Sequence, residues 1–401
     1  MFCESTTLKI FGRESSLFEH DFEAFNTEFA EIIGSSRFLV IGGAGSIGQA
    51  VVKQLVEFEP RKLHVVDISE NNLAELVRDI RSSAGYFDGD FHAYCMDALG
   101  IEFQHYSQQH ADFDYILNLA ALKHVRSEKD PFTLSRLVRT NVLLPKRIYE
   151  FADKIRAKAF FNVSTDKATN PVSMMGASKR LMELFLTATK GVTPSTSARF
   201  ANVAFSDGSL PFAWMRRLEK SQPIVAPRDI YRYFITSREA GILCLLAAIQ
   251  GENNQIFLPR LERESHLACF ADVALRFLDA ANKSPILCET EEEARTFFDS
   301  SPNVDSAAWP CYLFESTTSG EKMEEQFFDE REQVTWTTAS DIGVLRNTPV
   351  TSAKEIESVV EEIEKTLELG CPEVSELATK LSRVLPEFEH FDTGTHLDAR
   401  M

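Results

Sequence analysis

The 401-residue chain lacks several features that would each point to a class of protein. None of its seven cysteines, at positions 3, 95, 244, 269, 288, 311 and 371, forms a CxxC pair, and seven is odd. That disfavours a disulfide framework and points to reduced thiols and a cytoplasmic setting. The longest uncharged apolar run is Ala240–Gln250, short of the roughly 20 residues a spanning helix needs, so no membrane span is expected. The first residues, Met1-Phe2-Cys3-Glu4-Ser5, lack a basic stretch followed by an apolar one, so no secretory signal is expected. Positive charge is scarce: 42 basic against 60 acidic residues leave a net charge of -18 and an isoelectric point near 5.0. Such a field repels phosphate polymers and anionic membranes, which excludes a general nucleic-acid partner but leaves room for a local basic pocket. Internal repeats and low-complexity tracts are also missing. What remains is globular composition, 44% hydrophobic and 25% charged, enough for one large domain or two modest ones.

Phe18, Phe22, Phe25, Phe29 and Ile32 recur at helical spacing within 17–33. They predict an amphipathic helix, capped at Gly34, that packs on the body of the protein or serves a dimer contact. Short apolar runs then alternate with helical patterns. The runs are Arg37–Ile41, Lys62–Asp67, Phe91–Tyr94, Tyr115–Leu119, Ala159–Val163 and Thr196–Phe200, with helical patterns at 49–55, 73–80 and 142–152 between them. Buried strands alternating with helices predict an α/β, doubly wound parallel sheet. Residues 205–345 are less regular and read mainly as a smaller interleaved lobe, with a helix over 237–249. The four expected parts are a helical extension (1–35), a nucleotide-binding domain (36–204), this lobe (205–345) and an acidic helical segment (346–401). Glu289–Glu293 reads as a solvated helix start. Ile356, Val359, Ile363 and Leu367 mark one buried stripe of a surface helix.

Gly42, Gly45 and Gly48, around Ser46 and Ile47, directly follow a strand and directly open a helix. In that context glycines permit a tight turn and close approach of backbone N–H groups to a pyrophosphate, and the helix N-terminus adds its dipole. Asp67 closes the second strand about 20 residues on, where a carboxylate binds the ribose hydroxyls of NAD and repels the extra phosphate of NADP. The next residues, Ile68-Ser69-Glu70-Asn71, supply no cation for that phosphate, so NAD is preferred. Asp97, past the third strand, is either an adenine contact or a helix N-cap.

The densest chemistry is Asn162-Val163-Ser164-Thr165-Asp166-Lys167-Ala168, followed by Met175-Gly176-Ala177-Ser178-Lys179. In doubly wound sheets, ligand chemistry collects at the carboxyl ends of strands. A hydroxyl, a carboxylate and an amine in consecutive positions there suggest proton transfer, or merely the cap of a helix. With Ala120-Ala121-Leu122-Lys123-His124-Val125, Thr140-Asn141-Val142, Arg199–Val203, Arg232–Thr236 and Gly320-Glu321-Lys322, the chain over roughly 36–345 resembles the extended short-chain dehydrogenases/reductases. Within them it is similar to the UDP-N-acetylglucosamine 4,6-dehydratases of polysaccharide biosynthesis.

The resemblance implies a Rossmann-type sheet, tightly bound NAD, a UDP-sugar substrate and a homo-oligomer. It implies oxidation at C4 of the sugar, loss of water across C5 and C6, and return of the hydride to C6. The wider family has YxxxK; here Met175 takes the Tyr position and Lys179 is kept. A thioether exchanges no proton, so the proton work is expected of Thr165, Asp166 and Lys167. Met at this position resembles the subgroup that retains configuration at C5. The implied roles are Lys167, as a neutral amine, removing the C5 proton, Asp166 protonating the departing 6-hydroxyl and Thr165 hydrogen-bonding the 4-oxygen. Lys179 holds the nicotinamide ribose and lowers neighbouring pKa values by its charge. Ala120 and Ala121 flank the cofactor. Lys123, Asn202 and Arg232 are the candidate substrate contacts, with Arg216, Arg217, Lys220 and Arg228 weaker ones. Some relatives carry an N-terminal membrane region, whereas the short extension here reads as a soluble form. No His/Cys/Asp group shows metal-ligand spacing, and the reaction needs no metal. A nucleotide-sugar 4-epimerase shares fold, cofactor and the first oxidation, but the Asp166-Lys167 pair and the missing Tyr argue against it. A non-catalytic NAD-binding regulator has Met175 as its only support.

Overall fold

The computed structural model describes residues 2–85, 88–300, 305, 307–316, 322, 324–336, 341–346 and 351–390. Gly320 and Glu321, part of the motif above, lie outside the described residues. Six parallel strands carry the site: β1 (Arg37–Ile41), β2 (Lys62–Asp67), β3 (Asp90–Cys95), β4 (Tyr115–Asn118), β5 (Ala159–Val163) and β6 (Ser195–Ala198). They run in the order β3-β2-β1-β4-β5-β6. The strand Gln255–Pro259 extends the sheet in parallel beside β6, and Ile342–Arg346 and Val334–Trp336 follow antiparallel. This is the doubly wound arrangement whose order reverses next to β1, opening a crevice at the carboxyl ends of β1 and β4.

Alternation along the strands builds two cores. Val40, Val65, Leu117 and Phe161 face one side, under the helices Ser46–Glu57, Glu70–Ser83 and Ser237–Gln250. Ile41, Val66, Ile116 and Phe160 face the other, under Leu144–Lys154, Met174–Ala188 and Ala353–Leu369. Helix Ser237–Gln250 is buried on every side from Glu239 to Ala248, which explains its run of apolar residues without an amphipathic period. Ile356, Val359, Ile363 and Leu367 are buried against the second core, so the acidic C-terminal helix packs by the stripe its sequence predicts.

The lobe has its own core of Trp214, Phe234, Phe270 and Phe277. Two small sheets frame it, Asn202–Val203/Tyr231–Ile235/Leu267–Cys269 and Ile224–Pro227/Ala308–Phe314/Ser284–Cys288. Because Gln255–Pro259 and Ile342–Arg346 return to the main sheet, the stretch 205–345 is divided between lobe and nucleotide-binding domain. At the N-terminus the long helix runs Glu19–Ser35, with Gly34 inside it and Ser36 as its C-cap. Phe22, Phe29 and Ile33 are buried in the first core, so this helix packs on the body. A further helix, Glu4–Ile10, has no apolar period long enough to be read from sequence; Ile10 and the following Phe11 join the lobe core. Between the two helices, Arg13 forms a buried ion pair with Glu239, and Leu17 N donates to the same carboxylate at 2.6 Å.

Candidate functional site

The glycine loop lies between β1 and helix Ser46–Glu57, with Gly45 at the N-cap and no side chain capping the first turn. The free N–H groups of that turn therefore point into the crevice. A Cβ at Gly48 would run into the Gly42 carbonyl, so only glycine lets the helix start this close to the loop. Asp67 ends β2 beside it. Its Oδ2 accepts from Ala44 N at 3.0 Å and its Oδ1 from Ser69 N at 2.9 Å, which fixes the carboxylate at the rim of the crevice. Ser46 Oγ accepts from Asp207 N at 2.9 Å, joining loop and lobe. These residues fit a dinucleotide: the cradle is bare backbone, and an anchored carboxylate stands where a ribose would lie. Asp97 does something else. Its Oδ1 accepts from Leu99 N at 2.9 Å and its Oδ2 pairs with Arg136 at 3.1 Å, while Gly100 is the N-cap of the next helix. The N-cap reading of Asp97 therefore gives way to a turn-holding role.

Ala120 and Ala121 lie just beyond β4. Asn141 clamps this loop, accepting from Leu122 N at 3.0 Å and donating to Leu122 O at 2.9 Å and to Ser178 Oγ at 3.1 Å. It reaches there from a π-helical turn, Arg139–Leu143, an irregularity that re-aims side chains and is frequent at functional sites.

Beyond β5, Thr165 caps a single 3-10 turn, Asp166–Ala168. Its Oγ1 donates to Asp166 Oδ1 at 2.9 Å, and Lys167 Nζ donates to the same oxygen at 3.1 Å and to Asn202 Oδ1 at 3.4 Å. Asp166 is 2% exposed. Gly176 lets helix Met174–Ala188 touch this turn, since a Cβ there would meet the Lys167 carbonyl. Lys167 also faces Glu325 at 3.7 Å. Glu325 is buried, its Oε2 has no hydrogen-bond partner, and Lys322 stands 3.7 Å away while donating to Thr169 O at 2.8 Å. Sequence reasoning missed Glu325; the Gly320-Glu321-Lys322 motif leading into it was the available signal.

Two expectations on protonation are corrected. Burial alone would lower the Lys167 pKa, but Asp166 and Glu325 outweigh it, and the net shift is upward; the unliganded amine is an ammonium, not the neutral base expected. Lys179 is the depressed lysine. Its Nζ donates to Val163 O at 3.1 Å and is 3% exposed, and burial pushes its pKa down to about 7, so it is not the fixed positive charge expected there. Between pH 7 and its ordinary range the unfolded chain binds a proton here that the native chain does not. Native stability should therefore rise with pH from 7 upward, approaching about 1.4 kcal/mol per pH unit, and be flat in this respect below 7. Urea midpoints of the wild type and Lys179→Met at pH 7, 8 and 9 check this; the variant should lose the rise.

Of the other candidates, Met175 is 2% exposed, and its polar contacts are made by its backbone, the N–H donating to Glu128 at 3.0 Å and the carbonyl accepting from Ser178 Oγ at 2.7 Å. Lys123 is exposed and donates to Ser206 Oγ at 3.1 Å. Arg232 is buried, donates to Tyr231 O at 2.7 Å, and its charge is felt at Lys167. Arg216 and Arg228 pair with Glu219 and Glu315 on the surface, and Arg217 turns to Pro223 O. The structure thus gathers Thr165, Asp166, Lys167, Asn202, Glu325 and Lys322, with Arg232 behind them.

A family described as polysaccharide biosynthesis protein matches residues 38–347. The chain is 34% identical over 231 residues to an uncharacterized membrane protein of Methanocaldococcus jannaschii, covering 56% of this chain and 66% of that one. It is 30% identical to a capsular polysaccharide biosynthesis protein of Staphylococcus aureus over 55% of this chain and 37% of that one. It is 27% identical to the inverting UDP-N-acetylglucosamine 4,6-dehydratase of Campylobacter jejuni over 57% of this chain and 68% of that one. It therefore spans only part of the length of these relatives. The fold matches Pen from Bacillus thuringiensis with TM-score 0.63 at 20% identity, covering 84% of this chain and 99% of that one. It also matches the Thermus thermophilus UDP-glucose 4-epimerase complex with NAD, with TM-score 0.53 at 17% identity and coverage of 72% and 89%.

Proposed function

Because the chain belongs to this polysaccharide biosynthesis protein family, whose relatives include nucleotide-sugar dehydratases and epimerases, we propose that it is an NAD-dependent UDP-N-acetylglucosamine 4,6-dehydratase. The observation that carries the reading is the buried Thr165-Asp166-Lys167 cluster with Glu325 beside it, an acid–base set larger than a 4-epimerase needs. Met175 in the Tyr position favours the retaining outcome at C5. NAD is favoured over NADP by the anchored Asp67 carboxylate and by the absence of a cation in Ile68-Ser69-Glu70-Asn71. The seven free cysteines suit a reducing, cytoplasmic setting.

NAD, held in the crevice by the glycine loop, Asp67 and Lys179, would supply the hydride acceptor and donor that the sugar needs. The chain handles the protons. Thr165 Oγ1 takes the proton of the 4-hydroxyl and relays it to Asp166, which then holds the proton that the 6-hydroxyl needs on leaving. Lys167 passes its own proton to Glu325, the carboxylate 3.7 Å from its amine, once substrate occupies the crevice. As a free amine, Lys167 removes the C5 proton, now acidified by the 4-ketone, while Asp166 protonates the departing water. Lys167 then reprotonates C5, and Glu325 returns its proton, restoring the starting ion pair. Lys179 holds the ribose, while Asn202, Lys123 and Arg232 contact the UDP-sugar.

The deciding experiment is incubation with UDP-N-acetylglucosamine in D₂O, followed by mass spectrometry and proton NMR. Loss of one water with deuterium at C5 is expected, and the ring couplings report retention. Epimerised sugar without mass loss would replace this reading with the 4-epimerase one.

A further inference from the structure

In the amino-terminal halves of β2 and β3, the parallel register sets Lys62 beside Asp90 and His64 beside His92. Alternate residues share a face, so two imidazoles and a carboxylate meet although 26 or more residues of chain separate His64 from the other two. Linear spacing conceals such a group, which is why no metal ligands were expected from the sequence. One potential donor atom from each of His64, Asp90 and His92 lies within 4.8 Å of the others. His64 Nε2 is 3.4 Å from Asp90 Oδ2, and His92 Nδ1 is 2.7 Å from Asp90 Oδ1.

The orphaned atom is what points to a ligand. The His64 side chain is 1% exposed, and its Nε2 has no hydrogen-bond partner, a costly state for a buried polar atom. Its other nitrogen, Nδ1, lies 2.6 Å from Tyr106 OH. With Nδ1–H donating to that oxygen, the Nε2 lone pair is left bare and aimed at Asp90. An outer partner that fixes the tautomer in this way is the usual companion of a metal-binding histidine. The opposing cation, Lys62, is 3.8 Å from Asp90 but held by Asp112 at 2.9 Å. Asp90 and His92 are exposed on the edge strand, free to close on an ion at the usual bond lengths of about 2.0–2.2 Å.

We propose that His64, Asp90 and His92 form a site for a divalent transition metal of the zinc, cobalt or nickel type, the class suited to two imidazoles and a carboxylate. The ion would staple edge strand β3 to β2, with water completing its shell on the exposed side.

The probe is Co²⁺, titrated into the full chain carrying no histidine tag and read by its visible absorption and by the thermal unfolding midpoint. One cobalt per chain is expected, together with a raised midpoint. Asp90→Asn and His92→Gln, both exposed and so tolerated by the fold, should weaken binding about tenfold or more and abolish the rise. The proposal is overturned by equal affinity in the wild type and both variants, by no cobalt spectrum at millimolar cobalt, or by a sulfur-to-cobalt band, which would place the ion on exposed Cys95, Cys3 or Cys371.

Discussion

Replacing Lys167 with Ala should lower turnover of UDP-N-acetylglucosamine by about 10²–10⁴-fold, the usual contribution of a positioned acid–base group, while NAD and UDP-sugar still bind. The amine lies 3.1 Å from Asp166 and 3.7 Å from Glu325, and Met175 stands where the wider family has Tyr. The loss should fall on the step across C5 and C6. A single turnover of Lys167→Ala in D₂O should therefore show reduction of the bound cofactor, a sign of oxidation at C4, without deuterium at C5. Asp166→Asn should be comparably impaired, because it removes the acceptor for the 4-hydroxyl proton and the donor for the leaving water. Glu325→Gln should be milder, since Lys167 can lose its proton by slower routes. A Lys167→Ala enzyme within tenfold of wild type would sink the role assignment.

The second large effect is structural. Replacing Arg199 with Met should destabilise the native state by about 3–5 kcal/mol, the cost of leaving a buried charge uncompensated. Arg199 is fully buried. It donates to both oxygens of Glu183 at 3.0 and 2.8 Å, to Glu332 at 2.7 and 2.8 Å, to Thr169 Oγ1 at 3.0 Å and to Phe327 O at 2.7 Å. Burial alone would raise the Glu183 pKa, but Arg199 and Arg180 hold it down to about 2. Glu183 also accepts from Ser164 Oγ at 2.6 Å, one residue before Thr165. The cluster thus joins the end of β6, helix Met174–Ala188, the Asp166–Ala168 turn and the segment that carries Glu325. Urea denaturation of Arg199→Met measures the loss, and Glu183→Gln combined with it should recover part, because the second substitution removes one of the stranded carboxylates. A variant as stable as wild type would mean that the network is solvated and contributes little.

Legibility followed physical range. The glycine loop, Asp67, the Thr165-Asp166-Lys167 run and the buried stripe of the C-terminal helix are each written within a few residues of one another. Their meaning depends on local periodicity and on the strand that precedes them, so they could be read directly. The helix Glu4–Ile10 was hidden because seven residues are too few for a period and its stability comes from the lobe core it enters. Asp97 does not cap a helix, and its partner Arg136 is distant in sequence.

The amino-acid order by itself determined the alternating strand–helix plan, the glycine loop that opens the first crossover helix, the Thr165-Asp166-Lys167 run and the Met at position 175. All of these rest on chemistry that a residue carries with it or shares with near neighbours. Only the tertiary structure decided which lysine is charged. Lys179 is buried against the Val163 carbonyl, where the cost of desolvation exceeds the pull of Glu183, whereas Lys167 is buried between two carboxylates whose attraction exceeds that cost. It likewise decided that Glu325 belongs to the site and that His64, Asp90 and His92 meet, because a local electrostatic balance and a donor set are properties of groups brought together across the fold.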